Sequence, residues 1–100
     1  MGTKPDDDPL WSVEILPRAE SQLNQLDDRV WLEAMNVVAE LEESPFPPEA
    51  NRLRGWRDFY RIPFYRRQYR MIYHVDEPRR RVQVSRISHR SGVYRGLDRW

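Results

Sequence analysis

One hundred residues make one small domain of ordinary size and leave no room for two. Apolar residues are 39% of the chain and charged residues 33%, yet an aromatic content of 12% is too high for a disordered chain. The absence of Cys excludes disulfide frameworks and Cys-based zinc sites, two His are too few for a His-rich metal site, and no apolar run nears the roughly 18 residues of a membrane helix.

Residues 1–9 are polar, Asp- and Pro-rich and lack an apolar segment, so a flexible tail is expected there rather than a secretory leader. Residues 10–100 are expected to form the single domain, and the cytoplasm is the default location. Trp11, Val13 and Ile15 alternate with Leu10, Ser12 and Glu14, which predicts a strand over 10–15. Pro17 suits the first turn of a helix, and Leu16, Ala19, Leu23 and Leu26 recur at helical spacing, so a short helix is predicted over 17–26. Asp27-Asp28 then caps a second helix, whose apolar stripe is Val30, Ala34, Val37, Val38 and Leu41, widened by Trp31 and Met35. Pro45 ends it, and residues 44–52 with three Pro read as a loop.

From Trp56 the period changes to two. Strands are predicted over 57–64, 68–75 and 81–88, the last two joined as a hairpin by the turn at 76–80. In the middle strand Tyr69, Met71, Tyr73 and Val75 share one face, and Arg70, Ile72 and His74 share the other. One face is expected on the helices, the other toward solvent or a ligand. Pro63 cannot donate a ladder hydrogen bond, so its strand is expected to be an edge there, or bent. The order β-α-α-β-β-β predicts an α+β domain with two N-terminal helices on one face of a small twisted antiparallel sheet.

Charge is divided along the chain. Residues 1–50 hold three Lys/Arg and twelve Asp/Glu, whereas residues 51–100 hold fourteen Arg and four Asp/Glu. Lys4 is the only Lys among the 17 basic residues. Arg suits phosphate because its planar guanidinium donates two parallel hydrogen bonds and stays charged. Arg-rich genomic composition accounts equally for Arg in place of Lys, but not for cations gathered in one half.

No metal-ligand spacing and no Gly-rich phosphate loop is present. What recurs is Arg beside an aromatic ring: Tyr60-Arg61, Tyr69-Arg70, His89-Arg90 and Tyr94-Arg95. Arg contacts phosphates and aromatics stack unpaired bases. The same groups suffice to cut RNA without metal: guanidinium groups stabilise the pentavalent phosphate, and His or Tyr moves the protons. His89 titrates nearest neutrality, while Tyr94 needs a lowered pKa that Arg neighbours favour. The bland readings stand beside these. Arg61 and Arg70 also suit a solvated sheet face, and Arg79, Arg80 and Arg81 a solvated turn. His74 suits a structural or surface role; Tyr60, Tyr69 and Tyr73 suit packing; and Trp11, Trp31 and Trp56 suit the core or helix–sheet contacts.

The segments WSVEILPRAESQLNQL (11–26), LEESPFPPEANRLRG (41–55), FYRIPF (59–64), YRMIYHV (69–75) and VQVSRISHRSGVY (82–94), in this order and spacing, resemble the RelE/ParE superfamily of bacterial type II toxins. The resemblance implies a small α+β toxin that a partner antitoxin neutralises in a hetero-oligomer, with no cofactor and no membrane. Its RelE branch implies a metal-independent endoribonuclease that enters the ribosomal A site and cuts mRNA there. By motif the cutting residues fall on Arg61, Arg70, Arg90 and Tyr94, with His89 where the best-known member has Lys. The cleft is expected on the sheet face away from the helices. Arg54, Arg57, Arg66, Arg67, Arg86 and Arg95 are the further candidates for RNA contacts. A second basic residue common in active members is replaced by Pro63, leaving Arg66 or Arg67 to substitute. A ParE-type inhibitor of DNA gyrase without nuclease chemistry, and an inactive member that only binds its antitoxin, are the alternatives; the ending HRSGVY (89–94) favours the nuclease.

Overall fold

The computed structural model describes residues 10–91. The elements are β1 (Ser12–Ile15), α1 (Pro17–Leu23), α2 (Asp28–Glu43), β2 (Asn51–Arg52), β3 (Phe59–Phe64), β4 (Tyr69–Asp76) and β5 (Arg81–His89). The strands form one sheet in the order β1-β5-β4-β3-β2. The class is α+β with helices on one face, as expected, but the sheet is mixed. β2 through β5 pair antiparallel, whereas β1 runs parallel to β5, Ser12 opposite Arg81 and Ile15 opposite Val84. A second correction is β2, two residues in a segment read as loop.

α1 starts with Pro17 in its first turn, where a missing N–H costs nothing. The Asp27 carboxylate accepts from the Val30 N–H at 3.1 Å and caps α2, satisfying one of the donors a helix start leaves unpaired. α2 ends at Ser44, before Pro45. Its buried residues are Val30, Ala34, Val37, Val38 and Leu41. They form one core with Ala19 and Leu23 of α1 and with Ile62, Phe64, Met71, Tyr73, Val75, Val82, Val84 and Ile87 of the sheet. Trp31 corrects the expectation of a core tryptophan: it is 41% exposed.

β1 covers only the first half of β5. Past Ile15 the chain turns into α1, and the Gln22 side chain takes up the ladder, its Oε1 accepting from the Ile87 N–H at 2.8 Å. A side chain thus continues the edge pairing that a strand began, and a donor that would otherwise be orphaned in a buried setting is satisfied. Gln22→Ala is expected to cost about 1–2 kcal/mol, the usual penalty for an unpaired buried donor. Gln22→Glu keeps the acceptor and serves as control; thermal melting of both variants checks the assignment.

At the other side of the sheet β2 pairs only with Tyr60 and Arg61. β3 is therefore an edge at Pro63, where the missing N–H is tolerated. β3 and β4 are joined by a tight turn in which Tyr65, Arg66 and Arg67 all have φ between 51° and 64°. Three successive non-Gly residues in the left-handed region store strain, roughly 1 kcal/mol or more each.

Candidate nucleic-acid interface

The register assigns each basic residue to a face. On β3, Ile62 and Phe64 enter the core, so Arg61 and Pro63 lie on the open face, away from the helices. On β4, Met71, Tyr73 and Val75 enter the core, so Arg70, Ile72 and His74 share the open face. β5 holds a surprise. Val82 and Val84 face the core, and strict alternation would send Arg86 there too. The β4–β5 register shifts at Ile72/Tyr73, leaving Ser85 as an extra residue, so Ile87 enters the core and Arg86 sits opposite Ile72. The Ser85 hydroxyl donates to the Ile72 carbonyl at 3.3 Å.

Among the described residues the open face is thus crossed by four rows of side chains, the outermost formed by Asp76, Arg81 and Ser12. Arg61, Ile72 and Arg86 form the middle row. Pro63, Arg70 and Ser88 form the row toward the 65–68 turn. Phe59, His74 and Gln83 form the row on the other side of the middle one, continued by Glu14 of β1. Rows on one face are about 7 Å apart, two residues of strand rise. The middle row is not a solvated surface, contrary to the simple two-face expectation: Ile72 is fully buried and Arg86 is 3% exposed. Burial, and then the nearby Arg18, push the Arg86 guanidinium below its ordinary pKa; it remains a cation at neutral pH.

Arg70 is held from behind. Its Nη1 donates to the carbonyls of Arg67 at 2.6 Å and Tyr69 at 3.2 Å. Both acceptors are neutral, so they orient the guanidinium without cancelling its charge. The Arg67 carbonyl is presented by the left-handed turn, which links the strain at 65–67 to the placement of Arg70. The same turn carries the exposed Arg66 and Arg67. Arg90 follows β5, its N–H donating to the Gln68 carbonyl at 2.7 Å. Arg66, Arg67, Arg70 and Arg90 therefore gather at one end of the sheet.

Other candidates fall elsewhere. His89 is opposite Tyr69, on the helix side of the sheet, in a row of rings: Phe64 to Tyr69 at 5.7 Å and Tyr69 to His89 at 5.4 Å. The register thus separates His89 from Arg61 and Arg70 by the thickness of the sheet edge. Its Nδ1 accepts from the Ser91 N–H at 3.3 Å and lies 3.0 Å from the Ser91 hydroxyl. A backbone N–H only donates, so the neutral ring carries its proton on Nε2. Arg54 and Arg57 are exposed in the loop before β3, at the end away from Arg70. Tyr94 and Arg95 lie outside the described residues. Tyr73 belongs to packing: it is fully buried, stacks on Tyr60 at 5.8 Å, and donates to the Pro45 carbonyl at 2.8 Å. Burial raises its phenol pKa far above the ordinary value, so it supplies no base. Among the described residues no three His, Cys, Asp or Glu gather as metal ligands.

The helix side carries the opposite charge. Asp28, Glu33, Glu40 and Glu43 of α2 are all exposed. The sheet thus separates an acidic layer from a layer of arginines, an arrangement that orients the molecule toward a polyanion.

Comparison with solved structures finds this fold in toxins. Escherichia coli RelE in the intact RelBE toxin–antitoxin complex is 26% identical, with a TM-score of 0.71 over 79% of this chain and 95% of that one. RelE in the archaeal RelE–RelB complex of Pyrococcus horikoshii OT3 is 21% identical, with a TM-score of 0.69 over 84% and 99%. The toxin–antitoxin complex RelBE2 of Mycobacterium tuberculosis is matched at 19% identity, with a TM-score of 0.60 over 80% and 98%. A comparison with curated protein sequences finds no significant match. The sequence model for the ParE toxin of type II toxin–antitoxin systems matches residues 13–94. With that match over most of its length, on a fold shared with RelE, the chain belongs to the ParE toxin family of type II toxin–antitoxin systems, within the RelE/ParE superfamily.

Proposed function

We propose that this toxin is a ribosome-dependent endoribonuclease that cuts mRNA in the ribosomal A site and so stops translation. The observation that carries this reading is that Arg61 and the clamped Arg70 share the open face, with Arg90 at its end, while the buried Arg86 adds a fixed charge without reaching the surface. The likeness to E. coli RelE supports it. In the reaction the 2′-oxygen attacks the adjacent phosphorus, and the bond to the 5′-oxygen breaks. The products are a 2′,3′-cyclic phosphate and a 5′-hydroxyl. One proton leaves the 2′-hydroxyl and one is delivered to the departing 5′-oxygen.

Arg70 and Arg90 hold the scissile phosphate, and Arg61 orients the strand. Preorganised cations aimed at the developing negative charge do the largest part of such catalysis. The carbonyl clamp on Arg70 fixes its guanidinium in advance of substrate. Tyr94 moves the protons, because the register leaves His89, the other candidate, on the helix side of the sheet. Arg67 stands in for the cation replaced by Pro63, since Arg66, the other candidate, lines a pocket with Arg29 and Glu33 of α2. No cofactor takes part. The site of action is the cytoplasm, where translation proceeds, and the partners are the ribosome, its mRNA and a cognate antitoxin whose acidic groups cover the arginines. RelE is found with an antitoxin in the E. coli and P. horikoshii complexes.

The ParE name of the matching family favours one alternative, inhibition of DNA gyrase without nuclease chemistry. A pair of assays separates the two. Purified toxin is added at ribosome-equivalent concentration to a translating extract, and separately to gyrase with relaxed plasmid. Arrest of translation with supercoiling intact is the expected result; blocked supercoiling with translation intact would transfer the chain to the gyrase-inhibiting branch.

A further inference from the structure

Arg54 and Arg57 lie too far from Arg70 to serve the same phosphate. Phe59 to Phe64 alone spans about 17 Å at the usual strand rise. The end of the open face near these two arginines has its own features. A pocket of about 270 Å³ is lined by Leu16, Phe59, His74, Gln83 and Ser85. That is slightly below the roughly 300–1,000 Å³ of sites for drug-sized ligands, room for one flat ring system. The Phe59 and His74 rings are 4.9 Å apart and inclined by 53°, giving a floor and a wall. Trp56 abuts Phe59 edge-on at 5.9 Å. The Gln83 amide, at the polar side, is set by its hydrogen bond to the Glu14 carboxylate at 3.2 Å. Ser85 adds a hydroxyl.

We propose that the Phe59–His74 pocket is a second RNA subsite, which stacks an unpaired base of the strand whose phosphate is held at Arg70. Aromatic faces flanked by cations are the usual platform for single-stranded nucleic acid. The pocket row lies one row from Arg61 and Arg86 and two rows, about 14 Å, from Arg70. A short single strand laid along β3 meets Arg70, then the half-buried Arg61, then the ring pocket, with Arg54 and Arg57 receiving phosphates beyond. The flat rings and fixed amide select an unpaired base rather than a duplex, whose bases are stacked and covered.

This inference rests on the proposed RNA cleavage, and its test keeps the two apart. Short RNAs with a 2′-O-methyl group at the cleavage position carry 5-iodouridine at one site each and are photo-crosslinked to the full chain, the crosslinked residues being mapped by mass spectrometry. Crosslinks to Trp56, Phe59 or His74 from one base position, and to residues 65–70 from another, are expected. Phe59→Leu is expected to weaken oligonucleotide binding roughly tenfold, within the usual worth of one stacked base, with melting temperature as the check on folding. Should that variant not fold, His74→Leu takes its place. Crosslinks confined to the Arg70 end, with binding unchanged in both variants, would overturn the second subsite while leaving the nuclease reading intact. No RNA bound by the full chain, alone or on ribosomes, would overturn both.

Discussion

Arg70→Ala is expected to lower mRNA cleavage by roughly 100- to 1,000-fold, the usual loss when one preorganised donor to a developing oxyanion is removed. The fold is expected to survive. The Arg70 side chain lies outside the core and, among the described residues, donates to the carbonyls of Arg67 in the turn and Tyr69 at the start of β4. The melting temperature should therefore move little while the cleavage rate collapses. Arg70→Lys is expected to rescue little, because a single ammonium cannot keep the carbonyl clamp and present a forked pair of donors to phosphate at once. Single-turnover cleavage rates on ribosome-bound mRNA, with melting curves of the same preparations, check both halves of the expectation. A variant that melts normally and still cuts at the wild-type rate would remove Arg70 from the site.

The largest stability effect is expected at Tyr73. Its ring is fully buried between the helices and the sheet and stacked on Tyr60, and its hydroxyl ties the Pro45 loop to β4. Tyr73→Ala removes a large core side chain, at about 3–5 kcal/mol, against the roughly 5–15 kcal/mol that holds a typical domain folded. Tyr73→Phe keeps the ring but leaves the Pro45 carbonyl without its donor, an expected loss of about 1–3 kcal/mol. The pH dependence distinguishes the two contributions. Burial, and then the neighbouring Tyr60, raise the Tyr73 pKa above its unfolded value of 10.0. The stability it contributes is therefore fully present below pH 10 and is lost as pH rises beyond, because the unfolded chain gives up that proton first. Denaturant titrations at neutral and alkaline pH should show this alkaline loss in the wild type and a smaller one in Tyr73→Phe.

Much of the fold was legible because patterning and burial coincide. The α2 stripe read from spacing is the set of residues that the structure buries, and the β4 alternation separates Arg70, Ile72 and His74 from the core as expected. Pro63 marked an edge because its missing donor leaves few other places. The departures have physical causes. Two residues of β2 carry no period to detect. Whether β1 runs parallel or antiparallel depends on the path through α1 and α2, which alternation in a single strand does not encode. The extra residue at Ser85 reverses the parity of β5, so periodicity alone sends Arg86 to the wrong face. Tyr65, Arg66 and Arg67 lack the Gly or Asn that announces a left-handed turn. Trp31 widens the apolar stripe on paper, but it stays exposed and outside the core cluster.

The candidate site was legible in kind more than in arrangement. Arg beside aromatic residues on strands pointed to RNA, and the register joins Arg61, Arg70 and Arg86 on the open face. It places His89 on the helix side and sets Arg54 and Arg57 at the far end of the sheet. Residue type names the chemistry available; only pairing and parity decide which groups meet.

The central claim is cleavage of mRNA on the ribosome, and primer extension tests it most directly. A defined mRNA is translated in an extract with wild-type toxin or with the Arg70→Ala/Arg90→Ala variant, and the 3′ ends of the fragments are mapped. Discrete cuts inside codons, present only with wild type and only while translation runs, are the expected result. Intact mRNA at toxin concentrations matching the ribosomes would contradict the account.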